Sequence, residues 1–186
     1  MKMSRVWAMP TKDTFDCKPI GELVRRYLGQ SEVSVDPFAR NKRWATYTND
    51  LDPRTLADWH MDARDFLEML CEQRIAADLI IFDPPYSPRQ IKECYDGIGL
   101  KMRSEDAWRT NGWTPEKDLA NTLLVVGGVF LYFGWDSVAM GKGRGFEIEE
   151  MLLVCHGPGH NDTICTVERK IGEQARLISD KCDLQQ

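Results

Sequence analysis

Asp83-Pro84-Pro85-Tyr86 is the stretch whose residue types are suited to chemistry. Neither proline can donate a hydrogen bond, so Pro84 and Pro85 end a sheet ladder and hold the backbone as a rigid, extended turn. What remains is a carboxylate, a pair of exposed carbonyls and an aromatic face, all close together. This set suits an exocyclic amine. The lone pair of such an amine is delocalised into its ring, which makes the nitrogen a poor nucleophile. If Asp83 and the Pro84 carbonyl each accept one N–H bond, the pyramidal nitrogen is favoured. Its lone pair is then free for in-line attack on a sulfonium methyl. Tyr86 would stack on the base that carries the amine, once that base has left a duplex. No covalent nucleophile is required.

The flanking residues predict how this turn is held. Leu79-Ile80-Ile81-Phe82 is an unbroken apolar run, which reads as a strand buried on both faces of a mostly parallel sheet. Ser87-Pro88-Arg89-Gln90 is a helix start, with Ser87 as cap, Pro88 in the first turn and Gln90 closing a capping box. The turn is therefore expected at the carboxyl end of a strand, where ligands bind in open α/β sheets.

Upstream, Pro19 opens a helix in which Ile20, Leu23, Val24, Tyr27 and Leu28 share one face, and Gly29 stops it. Val33–Asp36 reads as a short strand ending at a Pro37-Phe38 corner, and Trp44–Asp50 as a second strand ending in an acid. His60-Met61-Asp62-Ala63 closes a third strand and begins a helix over 64–71, with Asp62 as its N-cap. Downstream, Thr114-Pro115-Glu116 caps a helix to about Val126, which Gly127-Gly128 turns into a strand over Val129–Phe133 followed by Trp135. The segments 151–155 and 163–167 read as an antiparallel hairpin. Five strands alternating with helices and then a hairpin predict an α/β fold of seven strands.

Asp-Pro-Pro-Tyr resembles the catalytic motif of the S-adenosylmethionine-dependent amino DNA methyltransferases, above all the N6-adenine type. The likeness runs in order from Phe15 to about Lys170 and is greatest to the small, phage-type DNA adenine methyltransferases. It implies a Rossmann-like, seven-stranded class I methyltransferase sheet with a terminal antiparallel hairpin. It also implies S-adenosyl-L-methionine as cofactor and DNA as partner, with Asp83, Pro84, Pro85 and Tyr86 catalytic. In that family the segment Phe15 to Pro19, with its Lys18-Pro19 pair, flanks the methionine end of the cofactor. Asp36-Pro37-Phe38 corresponds to the first cofactor motif. Ala39-Arg40-Asn41 stands where that motif has glycines, and Arg40 or Asn41 is expected to contact the methionine carboxylate instead. Asp50, with Asp52 in reserve, is expected to accept the ribose hydroxyls. Asp62, beside Ala63, has two rival roles, as helix cap or as acceptor of the cofactor's adenine amine.

The segment 87–118 carries Arg89, Trp108 and Arg109 among mixed charges and is read as a substrate-contacting insert, the other reading being a polar connector. Trp135 is a further candidate for lining the base pocket. At 186 residues the chain is expected to be one domain, with a charged tail over 171–186. Its 42% apolar and 28% charged residues are ordinary for a soluble globular protein, and no apolar run reaches membrane-spanning length. An intracellular, cytoplasmic location follows as an expectation, in a host cell if the chain is phage-encoded. The six cysteines lack C-x-x-C spacing and read as reduced, and no metal site is expected from Cys155, His156, His160 and Cys165. A formal net charge of −5 argues against broad, nonspecific nucleic-acid affinity and calls for a local DNA-binding surface. A homodimer is plausible because so small a domain covers little of a duplex. The competing readings are an N4-cytosine or RNA base-amine methyltransferase, or a noncatalytic subunit that depends on a partner.

Overall fold

A computed structural model describes residues 1–101 and 112–172. In chain order the strands are β1 (Lys2–Trp7), β2 (Ser34–Asp36), β3 (Tyr47–Thr48), β4 (Ala77–Phe82), β5 (Leu124–Gly134), β6 (Phe146–Cys155) and β7 (Thr163–Lys170). The α-helices are α1 (Lys18–Leu28), α2 (Ala63–Glu72), α3 (Pro88–Gly97) and α4 (Thr114–Leu123). The strands form one sheet in the order β1-β6-β7-β5-β4-β2-β3. Only β7 runs antiparallel to its neighbours β5 and β6; the other pairings are parallel.

The apolar run of β4 is buried on both faces, as its composition predicts. Ile80 and Phe82 join the core under α2 and α4, with Val35, Phe66, Leu70 and Phe130. Leu79 and Ile81 join the opposite core under α1, with Ile20, Val24, Leu131, Phe133 and Val167. The strand order reverses between β2 and β4: the chain leaves β2 toward β3 and returns to β4 on β2's other side. A crevice at the carboxyl ends follows from that reversal.

Seven strands are present, but not the expected seven. The second strand shrinks from 44–50 to Tyr47–Thr48, and the third is reduced to a single bridge between Asn49 and Trp59. The seventh is β1, which lies parallel to β6 at the far edge and carries no strong sequence signal. Gly127 and Gly128 do not separate helix from strand. They sit inside β5 as a bulge, where pairing with β4 shifts from Ala77–Leu124 to Leu79–Val129. Gly127 has φ +88°, and a Cβ on Gly128 would lie 2.9 Å from the Val125 carbonyl, so the bulge suits glycine at both positions. β7 runs on to Lys170, three residues beyond the expected strand end at 167. The buried Lys170 ammonium donates to the Asn121 and Leu124 carbonyls at the end of α4, at 2.9 and 2.8 Å. Among the described residues no helix is long and apolar enough to cross a membrane.

Candidate active site

The chain leaves the carboxyl end of β4 directly into Asp83-Pro84-Pro85-Tyr86. Ser87 caps α3 by accepting from the Gln90 amide at 3.2 Å. Gln90 Oε1 accepts the Tyr86 amide at 2.6 Å, one residue before the Ser87 amide that the expected capping box would engage, so it anchors the turn itself. The Tyr86 hydroxyl donates to Asp83 Oδ1. The Tyr86 ring meets Trp135 edge-on, with centroids 5.7 Å apart. Burial pushes the Asp83 carboxyl up to about 6, although hydrogen bonds from the Tyr86 and Thr14 hydroxyls pull it back. The same burial, and then the Asp83 charge, raises the Tyr86 phenol well above its ordinary value. A carboxylate offers about four lone-pair sites. Two hydroxyls leave Asp83 room to accept from a ligand.

Asp36, Asp50 and Asp83 follow or end β2, β3 and β4, so three carboxyls converge on the crevice. Asp36 is only 1% exposed and accepts the Phe38 amide at 3.0 Å. Burial raises its carboxyl strongly, and the Asp83 and Asp50 charges add to that. Asp50 accepts the Arg40 amide at 3.1 Å and the Asp52 amide at 2.8 Å. Burial still leaves its carboxyl raised. Asp62 takes the capping role: Oδ1 accepts the Arg64 amide at 2.9 Å, while Oδ2 accepts the Tyr95 hydroxyl from α3 at 3.0 Å. Asn49 is fully buried and joins the loop after β2 to the loop before α2. Its amide nitrogen donates to the Pro37 and Met61 carbonyls, and its oxygen accepts the Met61 amide.

The glycine-poor loop keeps a glycine-like conformation. Arg40 has φ +50°, in the left-handed region that L residues seldom adopt. Its amide is held by Asp50, and its guanidinium pairs with Asp13 at 2.7 Å. The Ala39 and Arg40 amides are thus spent on the protein, and the Arg40 side-chain cation stands at the crevice.

One cleft of about 640 Å³ gathers most of these groups. Pro37, Phe38, Asp50, Asp62, Ala63, Asp83, Pro84, Pro85 and Tyr86 line it, as do Arg40, Asn41 and Asp52. Asp36 lies buried beside it. Phe15 does not line it: its ring is packed in the core against Phe133, centroids 5.2 Å apart. Lys18 and Pro19 begin α1 outside it, with Lys18 exposed and paired to Glu22. Arg89 is exposed on α3 and paired with Glu93. Trp135 lines a separate cavity. Trp108 and Arg109 lie outside the described residues. Sequence reasoning missed Lys12, Thr14, Cys94, Tyr95 and Trp113 as lining residues. Tyr95 lies seven residues on from Pro88, on the helix face that Ile91 shares, and that spacing is the one signal that pointed inward.

No family model matches the sequence, and no curated protein matches it significantly. Solved structures do match its fold. SMU.776, complexed with SAH, aligns at TM-score 0.55 and 13% identity over 78% of this chain and 48% of that one. NSun6 from Pyrococcus horikoshii, solved with SFG, aligns at 0.53 and 17% identity over 80% and 50%. The N-methyltransferase NodS from Bradyrhizobium japonicum WM9 aligns at 0.52 and 12% identity over 87% and 99%. The chain spans about half the length of the first two. At these identities the likeness establishes the fold: an α/β, Rossmann-like sheet of the class I methyltransferase kind, its last strand antiparallel.

Proposed function

We propose that this chain is an S-adenosylmethionine-dependent methyltransferase acting on the N6 amino group of adenine in DNA. The observation that carries the reading is the placement of Asp83-Pro84-Pro85-Tyr86. It opens on the same cleft as Pro37, Phe38, Asp50 and Asp62, at the point where the strand order reverses. The choice of adenine in DNA rests on the motif's resemblance to the N6-adenine enzymes; Asp rather than Asn at its head favours a nucleic-acid substrate.

The residues present fit the cofactor. A cleft of about 640 Å³ is of ligand size. The Asp83 and Asp50 charges both push the buried Asp36 carboxyl toward its protonated form; acids crowded in this way favour a cationic centre, and a sulfonium is one. Asp50 keeps lone pairs for ribose hydroxyls, and Lys12 and Arg40 stand at the cleft for a carboxylate. The neighbours solved with SAH and SFG support the same assignment by their shared fold. S-adenosylmethionine, when bound, supplies an electrophilic methyl on sulfur. Ionised Asp83 accepts one N–H of the target amine and the Pro84 carbonyl accepts the other, which turns the nitrogen lone pair toward that methyl. Tyr86 keeps Asp83 oriented through its hydroxyl. Asp83 also faces the proton that the nitrogen sheds once its new bond to carbon forms.

The test separates chemistry from binding. Asp83→Ala is expected to abolish transfer from S-adenosylmethionine to unmethylated DNA while calorimetry still detects cofactor binding. Retained turnover in that variant would overturn the mechanism.

A further inference from the structure

A second cavity, again about 640 Å³, lies at the same carboxyl edge of the sheet, and of its lining only Trp135 has figured above as a candidate for substrate contact. Trp7 at the end of β1, Trp135 after β5, and the hairpin turn with Gly157, Gly159, His160 and Asn161 line it. Three features mark it out. Trp7 and Trp135 are 67% and 44% exposed, which is unusual for indole rings. The Arg5 guanidinium sits 5.1 Å from the Trp7 ring centroid, so a cation accompanies the exposed ring. Trp135 also touches Tyr86, so this cavity abuts the amine-binding turn.

The fold leaves this surface open. Trp135 to Gly145 crosses from β5 to β6 with only a three-residue 3-10 turn, Lys142–Arg144. The acids nearby are already engaged: Asp162 accepts the His156 amide at 3.0 Å, and Asp136 accepts the Val138 amide at 2.8 Å. Gly157 and Gly159 have φ +85° and +83°, and a Cβ on either would meet nothing within 4 Å, so the turn offers open backbone.

We infer that Trp7 and Trp135 form a stacking platform for unpaired nucleotides of the DNA strand that carries the target amine. The inference rests on the reading of Asp83 to Tyr86 as the transfer site. Bases present a π-face whatever their identity, and phosphates need a cation. Exposed indoles next to a guanidinium supply both. Contact between Trp135 and Tyr86 makes the platform continuous with the place where a flipped base would stack. This also meets the need, set by the chain's net charge of −5, for a local rather than global nucleic-acid surface. It puts strand recognition on the β1–β6–β7 side of the turn, away from α3.

The test uses the full chain and a fluorescein-labelled DNA strand of about 12 nucleotides, within the site size of such surfaces. Anisotropy should show Trp7→Ala weakening strand binding roughly 5- to 150-fold, the range set by loss of one stacked base. Trp7→Phe should restore most of it, and calorimetric affinity for S-adenosylmethionine should not change. In the transfer assay the KM for DNA should rise in parallel while kcat holds. Unchanged strand affinity and KM in Trp7→Ala would overturn the platform and leave the transfer reading intact. A dimer that Trp7→Ala dissociates would give the surface to a second copy and likewise overturn it. Strand binding that Trp7→Ala weakens, in a protein that transfers no methyl, would uphold the platform and sink the transfer reading instead.

Discussion

Replacing Asp83 with Asn is expected to stop the reaction and stabilise the protein. Burial lifts the Asp83 carboxyl from 3.8 to about 6. The folded protein therefore holds this proton more tightly than the unfolded chain does. The sign follows: below pH ~4 both states are protonated and Asp83 costs nothing. As pH rises through 4 to 6 the unfolded chain ionises first, so stability falls, and the full cost is present above about pH 6–7. A shift of about two units corresponds to about 3 kcal/mol. Asp83 opens on the cleft, so screening reduces this to about 1–3 kcal/mol. Asn cannot ionise and still accepts the Tyr86 and Thr14 hydroxyls through its oxygen, so the variant avoids the loss. Urea denaturation at pH 4, 6 and 8 reads the difference directly, and in melting temperature each kcal/mol is worth about 2–4 °C for a chain of this size. Transfer should fall at least ~100-fold, because the amide can present its NH2 where an acceptor is needed. If Asp83→Asn is no more stable than wild type at pH 8, or the gap is the same at pH 4 and pH 8, the reasoning fails.

The acid limb of the transfer rate should climb through about pH 6 as Asp83 ionises; a flat profile from pH 5 to 8 would remove Asp83 from the acceptor role. Asn49→Ala should cost about 2–4 kcal/mol in urea denaturation, since it leaves the buried Pro37 carbonyl and two part-buried Met61 backbone groups without this partner. Cofactor affinity should fall with it, and a loss under 1 kcal/mol would contradict the linking role. Gly21→Ala places a Cβ against the Phe15 carbonyl, a backbone atom that cannot swing aside. It should cost about 1–3 kcal/mol and, by shifting the turn that carries Thr14, lower transfer as well. Wild-type stability in that variant would show that the turn is free to move.

What was legible in the sequence is what local signals write. Four consecutive apolar residues made β4, two prolines ended it, Ser87 with Gln90 started α3, and Asp62 capped α2. The order of the acids then placed Asp36, Asp50, Asp62 and Asp83 at one end of the sheet. The shortened strands were not legible because side chains take over their ladder. The Ser34 and Thr46 hydroxyls bond the Thr46 and Ser34 amides, and Thr48 Oγ1 both accepts the Asp58 amide and donates to Asp58 Oδ2. Such bonds compete with strand pairing and are invisible to periodicity. β1 was missed because Met3 and Trp7 stay exposed, so burial leaves no clean alternation to read. Thr14 reaches the cleft through packing of a distant segment, which no spacing rule encodes. Arg40 looked like a departure from the glycine loop, yet it takes the left-handed conformation that glycine would have taken.

The measurement that bears most directly on the central claim is methyl transfer from tritiated S-adenosylmethionine to unmethylated duplex DNA, with RNA alongside, followed by identification of the labelled nucleoside. The account predicts label in N6-methyladenine from DNA. Label in another nucleoside, or none in either polymer, would contradict it.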